Sequence, residues 1–167
     1  YKVALGMYDL SLALMIAQQS PRDPREYVPF LRDLRSKEPL EYQRFCIDDH
    51  LGHHAKALAW LARSGDESRM ESAMAYMVQH KLYREGLKAF ANDPERLREA
   101  YARFGDYLSS HQRAAEAATA YELAGRLFDA MNAYKEADQW QQALTLAQKT
   151  HMAGSELTHF MRSLAEQ

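Results

Sequence analysis

Cysteine occurs only once in 167 residues, at Cys46, so the chain closes no disulfide within itself and reads as a protein of a reduced compartment. Glycine (7 residues) and proline (5 residues) are too scarce for a loop-rich or low-complexity segment. No apolar stretch approaches the roughly 20 residues that span a bilayer. The longest, residues 10–17, is interrupted by Ser11. No charge of one sign dominates: the net charge is −2 and the pI about 6.4, which argues against a dedicated nucleic-acid module. The glycines are scattered, so no phosphate-cradling loop exists. Ser20, Ser64, Ser109 and Cys46 have no His-plus-acid pattern or nucleophile elbow around them. An initiator methionine is absent as well. A start at Tyr1 reads as a piece of a longer protein, and the absence of a targeting signal then says little.

What the chain does have is helical periodicity. Ala114, Ala117, Ala118 and Tyr121 follow an i, i+3, i+4, i+7 spacing that lines one helix face. Leu127, Ala130, Met131 and Tyr134 repeat it, and so do Trp140, Ala143, Leu144 and Ala147. Gly125 and Asp138 close the first two. Extended backwards, the template also begins at His54, Met70, Tyr83 and Leu97. Successive starts lie 13–17 residues apart and pairs of steps sum to 26–31 residues, a two-helix repeat somewhat shorter than the 34-residue tetratricopeptide (TPR) unit. A small residue occupies the fourth template position every time: Ala57, Ala73, Gly86, Ala100, Ala117, Ala130, Ala143. Small side chains there let helix axes approach closely, and short connections make neighbours antiparallel. The fold class expected is all-α, a TPR-like α-solenoid of stacked antiparallel hairpins with about ten or eleven helices, right-handed as such stacks are. Residues 1–52 read as N-terminal helices, 53–150 as degenerate hairpin repeats and 151–167 as the start of a further helix.

The N-terminal part carries clear start and stop signals. Residues 8–19 read as a helix capped by Asp9, apolar nearly all round and so expected to be buried. Asp23-Pro24 is a second cap, with Glu26 placed as in a capping box. Pro29 removes one helical hydrogen bond, so a kink or a late start is expected there. Asp93-Pro94 repeats the cap signal later in the chain.

The stretches DPREYVPFL (23–31), YQRFCIDDHL (42–51) and KAL (56–58) resemble the helical-repeat region of the largest, scaffold subunit of Elongator, the IKAP family. ALMIAQQSPR (13–22) and LYREGLKAF (82–90) are also similar to that family. The residues that carry the resemblance are Asp23, Pro24, Glu26, Tyr27, Pro29, Phe30, Leu31, Ile47, Asp48, Asp49, His50, Leu51, Ala57 and Leu58. Gly52-His53-His54 departs from the basic or aromatic residues of the family. The resemblance implies a parent with β-propellers before this region and a dimerisation segment after it. The parent would be a homodimer that binds the propeller and catalytic subunits in the cytoplasm, with a nuclear pool. The complex would add a carboxymethyl-type group at wobble uridines of tRNA, with catalysis in a separate radical-SAM and acetyltransferase-like subunit. This segment would then be a scaffold, not an enzyme, with no cofactor. Alternatives are a vesicle-coat or ciliary-transport solenoid and an RNA-binding helical repeat.

Candidate sites are few. His50 and His54 stand at i, i+4, a spacing that can place two imidazoles on one metal. Gly52 between them and the lack of a hydrolytic Glu favour a turn instead, so no metal is expected. Met70, Met74, Met77 and Met131 read as core rather than as a binding groove. Trp140 reads as a wedge between hairpins. Lys81, Arg84, Lys88, Arg96, Arg98 and Arg103 form a loosely basic middle interleaved with Glu85, Asp93, Glu95 and Glu99, the pattern of a solvated face, with a weak tRNA contact as the alternative. The packing residues expected to matter are Ala117, Ala118, Tyr121, Ala130, Met131, Tyr134, Ala143 and Leu144.

Overall fold

The structure, a computed structural model, describes residues 1–21, 23–149 and 162. Among the described residues it contains eleven helices and no strand: α1 (Lys2–Gly6), α2 (Leu10–Gln18), α3 (Pro24–Ser36), α4 (Leu40–His50), α5 (His54–Arg63), α6 (Glu67–Gln79), α7 (Tyr83–Ala89), α8 (Pro94–Ser110), α9 (Ala114–Ala124), α10 (Leu127–Glu136) and α11 (Trp140–Lys149). The chain divides into two compact units, Tyr1–Ala89 and Phe90–Gln167. In the first, consecutive helices pack on one another and α5 also receives α7; in the second, α8 to α11 pack in sequence. The further helix expected over 151–167 falls outside the described residues apart from Arg162.

Helix starts coincide with the template at His54, Tyr83, Ala114, Leu127 and Trp140. In α6 and α8 the template begins three residues inside the helix, because Glu67-Ser68-Arg69 and Pro94-Glu95-Arg96 add a polar first turn. Asp9, Asp23 and Asp93 all cap as the sequence signals: Asp9 and Asp93 accept from the amides two and three residues on, as in Ser11 N and Leu12 N to Asp9 Oδ1 at 3.0 and 2.9 Å, and Asp23 accepts from Arg25 N. Pro29 lies within α3, which begins at Pro24, so no late start occurs.

The turns share one backbone device. The amides of His53, Leu82, Arg113, Arg126 and Gln139 each donate to the carbonyl five residues back, at 2.8–3.0 Å, and each follows a residue of positive φ: Gly52, Lys81, Gln112, Gly125 and Asp138. This is the Schellman closure of a helix C-terminus. Three of those five positions hold a residue other than glycine, so the left-handed turn recurs more regularly than the glycines do.

The core of the second unit is built from the template faces. Ala117, Ala118, Ala130 and Ala143 are fully buried, with Tyr121, Met131, Tyr134, Leu146 and Ala147 beside them. Leu144 is only partly buried; Leu146, which the template does not mark, is buried instead. In the first unit Tyr27, Leu31, Leu34 and Ile47 form one cluster with Ala4, Leu5, Leu10, Ala13 and Ala17. Met74 and Met77 are core. Two expectations need correction. Helix α2 is not buried all round: Met15 is 57% exposed and Leu12, Leu14 and Ile16 are only partly covered, because packing reaches it mainly through Leu10, Ala13 and Ala17. Trp140 is no wedge; it is the first residue of α11 and is 55% exposed. Replacing a small template residue, as in Ala117→Leu or Ala130→Leu, is expected to destabilise by about 1–3 kcal/mol through overpacking, read as a lower urea midpoint at unchanged m-value. An unchanged midpoint would refute close packing at these faces.

Candidate functional site

The last turn of α4 carries two consecutive aspartates. Successive helical residues point about 100° apart, so the two carboxylates serve different neighbours. Asp48 is 1% exposed, the one buried charged residue among the described residues. It accepts from the Tyr8 hydroxyl at 2.7 Å and lies 3.2 Å from His53 Nδ1. The Tyr8 oxygen in turn accepts from Trp60 Nε1 at 3.0 Å. The Arg44 guanidinium covers the Tyr8 and Trp60 rings, 5.2 and 4.6 Å from their centroids, a cation–π contact made half out of water. Burial, then the Asp48 carboxylate, pushes the Tyr8 phenol above its ordinary range.

Asp49 points outward and repeats the arrangement. It accepts from the Tyr76 hydroxyl at 2.6 Å. The same oxygen lies 2.7 Å from His54 Nδ1, and Asp49 Oδ1 is 3.7 Å from that nitrogen. Tyr76 has one proton and spends it on Asp49, so Nδ1 of His54 is the donor to Tyr76. Burial and Asp49 hold the Tyr76 phenol far above its usual range. The His80 ring stacks on His54, with centroids 4.1 Å apart and planes at 22°, and tilts against Tyr76 at 4.3 Å. Each aspartate therefore gathers one tyrosine and one histidine: Asp48 with Tyr8 and His53, Asp49 with Tyr76 and His54.

The second unit uses the same chemistry on its template tyrosines. Tyr121 donates to Asp106 at 2.9 Å, and Arg126 reaches the same carboxylate oxygen at 2.9 Å while covering the Tyr121 ring. Burial first, then Asp106, raises the Tyr121 phenol to about 12. Tyr134 donates to Glu122 at 3.0 Å and is raised by burial and that carboxylate.

The sequence-marked residues fall into distinct roles. Asp23 and Pro24 form the cap and first position of α3, while Glu26 and Pro29 are exposed. Tyr27, Leu31, Ile47, Ala57 and Leu58 are core, and Leu51 is half-buried. Phe30 packs its ring on His50, centroids 4.4 Å apart. His50 and His54 are thus not brought together; His54 meets His80 instead. Sequence reading missed Tyr8, Tyr76 and His80, whose contacts, apart from the i, i+4 pair Tyr76 and His80, span 22–52 residues. The six basic residues fall into two units, Lys81, Arg84 and Lys88 in the first and the rest in the second, and Arg96 and Arg103 both lie against Glu99, at 3.7 and 3.5 Å. Burial pushes the Cys46 thiol up, away from the reactive thiolate. Among the described residues no catalytic domain is evident, and no helix is long and apolar enough to cross a membrane.

Comparison with known proteins agrees with this architecture. The profile of a family described as "ELP1 TPR domain" matches residues 42–167, and one described as "ELP1 alpha-solenoid" matches residues 1–34. Elongator complex protein 1 of Saccharomyces cerevisiae is 43% identical over 148 residues, covering 88% of this chain and 11% of the relative. The Drosophila melanogaster protein of that name is 39% identical over 149 residues (89% of this chain, 12% of the relative), and that of Schizosaccharomyces pombe 42% over 147 (88% and 12%). The chain thus spans about an eighth of the length of these relatives. With three quarters of its residues under a single family profile and this identity to relatives of one name, the chain belongs to the Elongator complex protein 1 family, in its TPR and α-solenoid region.

Proposed function

We propose that this chain is a non-catalytic scaffold segment of an Elongator complex, the assembly that adds a carboxymethyl-type group at wobble uridines of tRNA. The observation that supports it best is the construction of the chain itself: helices alone among the described residues, packed within each unit on their sequence neighbours, with polar bonds spent on joining helices. Stacked hairpins act through geometry, since burial along the stack sets the separations at which attached partners are held. In this reading residues 1–52 lead into the hairpin repeats of 53–150, and the propeller and catalytic subunits dock on the full-length parent, which dimerises through a segment elsewhere. The parent works in the cytoplasm with a nuclear pool, and tRNA contact by this segment is weak at most.

Affinity purification of the tagged full-length parent, followed by mass spectrometry, tests this. Recovery of the catalytic and propeller subunits of Elongator is the expected outcome. Recovery of vesicle-coat or ciliary-transport proteins in their place would keep the fold and cancel the tRNA-modification role.

A further inference from the structure

The outer aspartate cluster has a composition that its hydrogen bonds do not exhaust. Asp49, His54 and His80 each present a potential ligand atom, and these atoms lie within 4.8 Å of one another. They come from the last turn of α4, the first residue of α5 and the residue that ends α6. All three are partly open to solvent, so an ion could enter. Two imidazoles with one carboxylate are a borderline-soft donor set that suits zinc and its neighbours over magnesium or calcium. We propose that Asp49, His54 and His80 form a binding site for a divalent transition-metal ion of the zinc type, with water completing the coordination.

Three features support the site. First, the rings of His54 and His80 are stacked face to face at 4.1 Å. That stacking sets the two imidazoles side by side, so that one ion can reach a nitrogen of each. Second, Tyr76 holds two of the ligands in place: its oxygen lies 2.6 Å from Asp49 and 2.7 Å from His54. A hydroxyl in that position is the outer-shell partner that orients metal ligands. Third, the required movement is small. Bonds of about 2.0–2.2 Å place tetrahedral ligands about 3.3 Å apart, and the ligand atoms of Asp49, His54 and His80 already lie within 4.8 Å of one another. The remaining closure needs only side-chain rotation at half-exposed positions. This replaces the sequence expectation of no metal, which considered His50 with His54. His50 packs on Phe30, and the second imidazole comes instead from His80, 26 residues after His54.

An ion held here would join the α4–α5 turn to the end of α6. The test is zinc and cobalt(II) titration of the full 167-residue chain, with far-UV circular dichroism confirming the fold of each variant. One saturable equivalent of zinc and a zinc-dependent rise in Tm are expected. His80→Gln and Asp49→Asn should each weaken binding by at least about tenfold and abolish the Tm rise. His50→Gln and His53→Gln should leave both intact. His80→Cys should restore binding and add a thiolate-to-cobalt charge-transfer band, which locates the ion at position 80 independently of the loss variants. Absence of saturable binding, indifference to His80→Gln, or equal loss in His50→Gln would overturn the proposal.

Discussion

Asp48→Ala is expected to lower the stability of the chain by about 2–3 kcal/mol, read from urea unfolding. The buried carboxylate accepts the Tyr8 hydroxyl, which sits between α1 and α2 and itself accepts from Trp60 on α5. Removing the carboxylate leaves that part-buried hydroxyl with a proton and without its acceptor. An unsatisfied buried donor costs about 1–3 kcal/mol, and truncating a fully buried side chain adds lost packing. Asp48→Asn keeps an acceptor oxygen and the volume, so its loss should be smaller, about 1 kcal/mol. The ordering of the two variants is the diagnostic. Equal losses would mean that the negative charge, acting on His53 and on the Arg44 guanidinium nearby, matters more than the acceptor. Asp49→Ala removes the acceptor of Tyr76 at an exposed carboxylate, where water can replace it, and should cost less than Asp48→Ala.

The contrast between these neighbours shows where sequence reading stops. The helical class, five of the seven template starts and the three aspartate caps were legible because each depends on residues within one or two turns. A cap needs a side chain and an amide two or three positions on, and an apolar stripe needs only its own period. The turns were half legible. Gly125 and Asp138 read as stops, but Lys81 and Gln112 adopt the same left-handed conformation with residue types that do not advertise it. There the closing bond to the carbonyl five residues back, and the packing of the helices it joins, overrides the local preference of about 1–2 kcal/mol against that conformation.

The site was legible only as a pair of acids near a pair of histidines. Which histidine serves which acid depends on Tyr8 and Tyr76, whose hydroxyls come from 40 and 27 residues away. His80 carries no local mark at all, because its neighbours in sequence read as the end of an ordinary helix. The errors at Met15 and Trp140 have a related origin. Periodicity identifies an apolar face but not whether a neighbour covers each position on it, and burial of α2 and of the start of α11 depends on that neighbour.

Tyr121→Ala should produce the larger loss in the second unit, about 3–4 kcal/mol, as expected for emptying the space of a buried aromatic ring. The ring is 7% exposed, lies among the template alanines, and carries a hydroxyl bonded to Asp106 and a guanidinium from Arg126 on its face. Tyr121→Phe removes only the hydroxyl bond and should cost about 1 kcal/mol. The stronger test uses Gly105 on α8. A methyl group there would stand 2.7 Å from two carbons of the Tyr121 ring, closer than packed atoms allow. Gly105→Ala alone therefore sets an overpacking cost of about 1–3 kcal/mol against a helix-propensity gain of about 1 kcal/mol, and should be destabilising. In the Tyr121→Ala background the obstacle is gone and only the propensity gain remains, so the same substitution should become stabilising. The coupling energy of this cycle should be about 2 kcal/mol, within the range found for residues in direct contact. Additive effects would mean that α8 and α9 do not approach as closely as glycine against tyrosine permits.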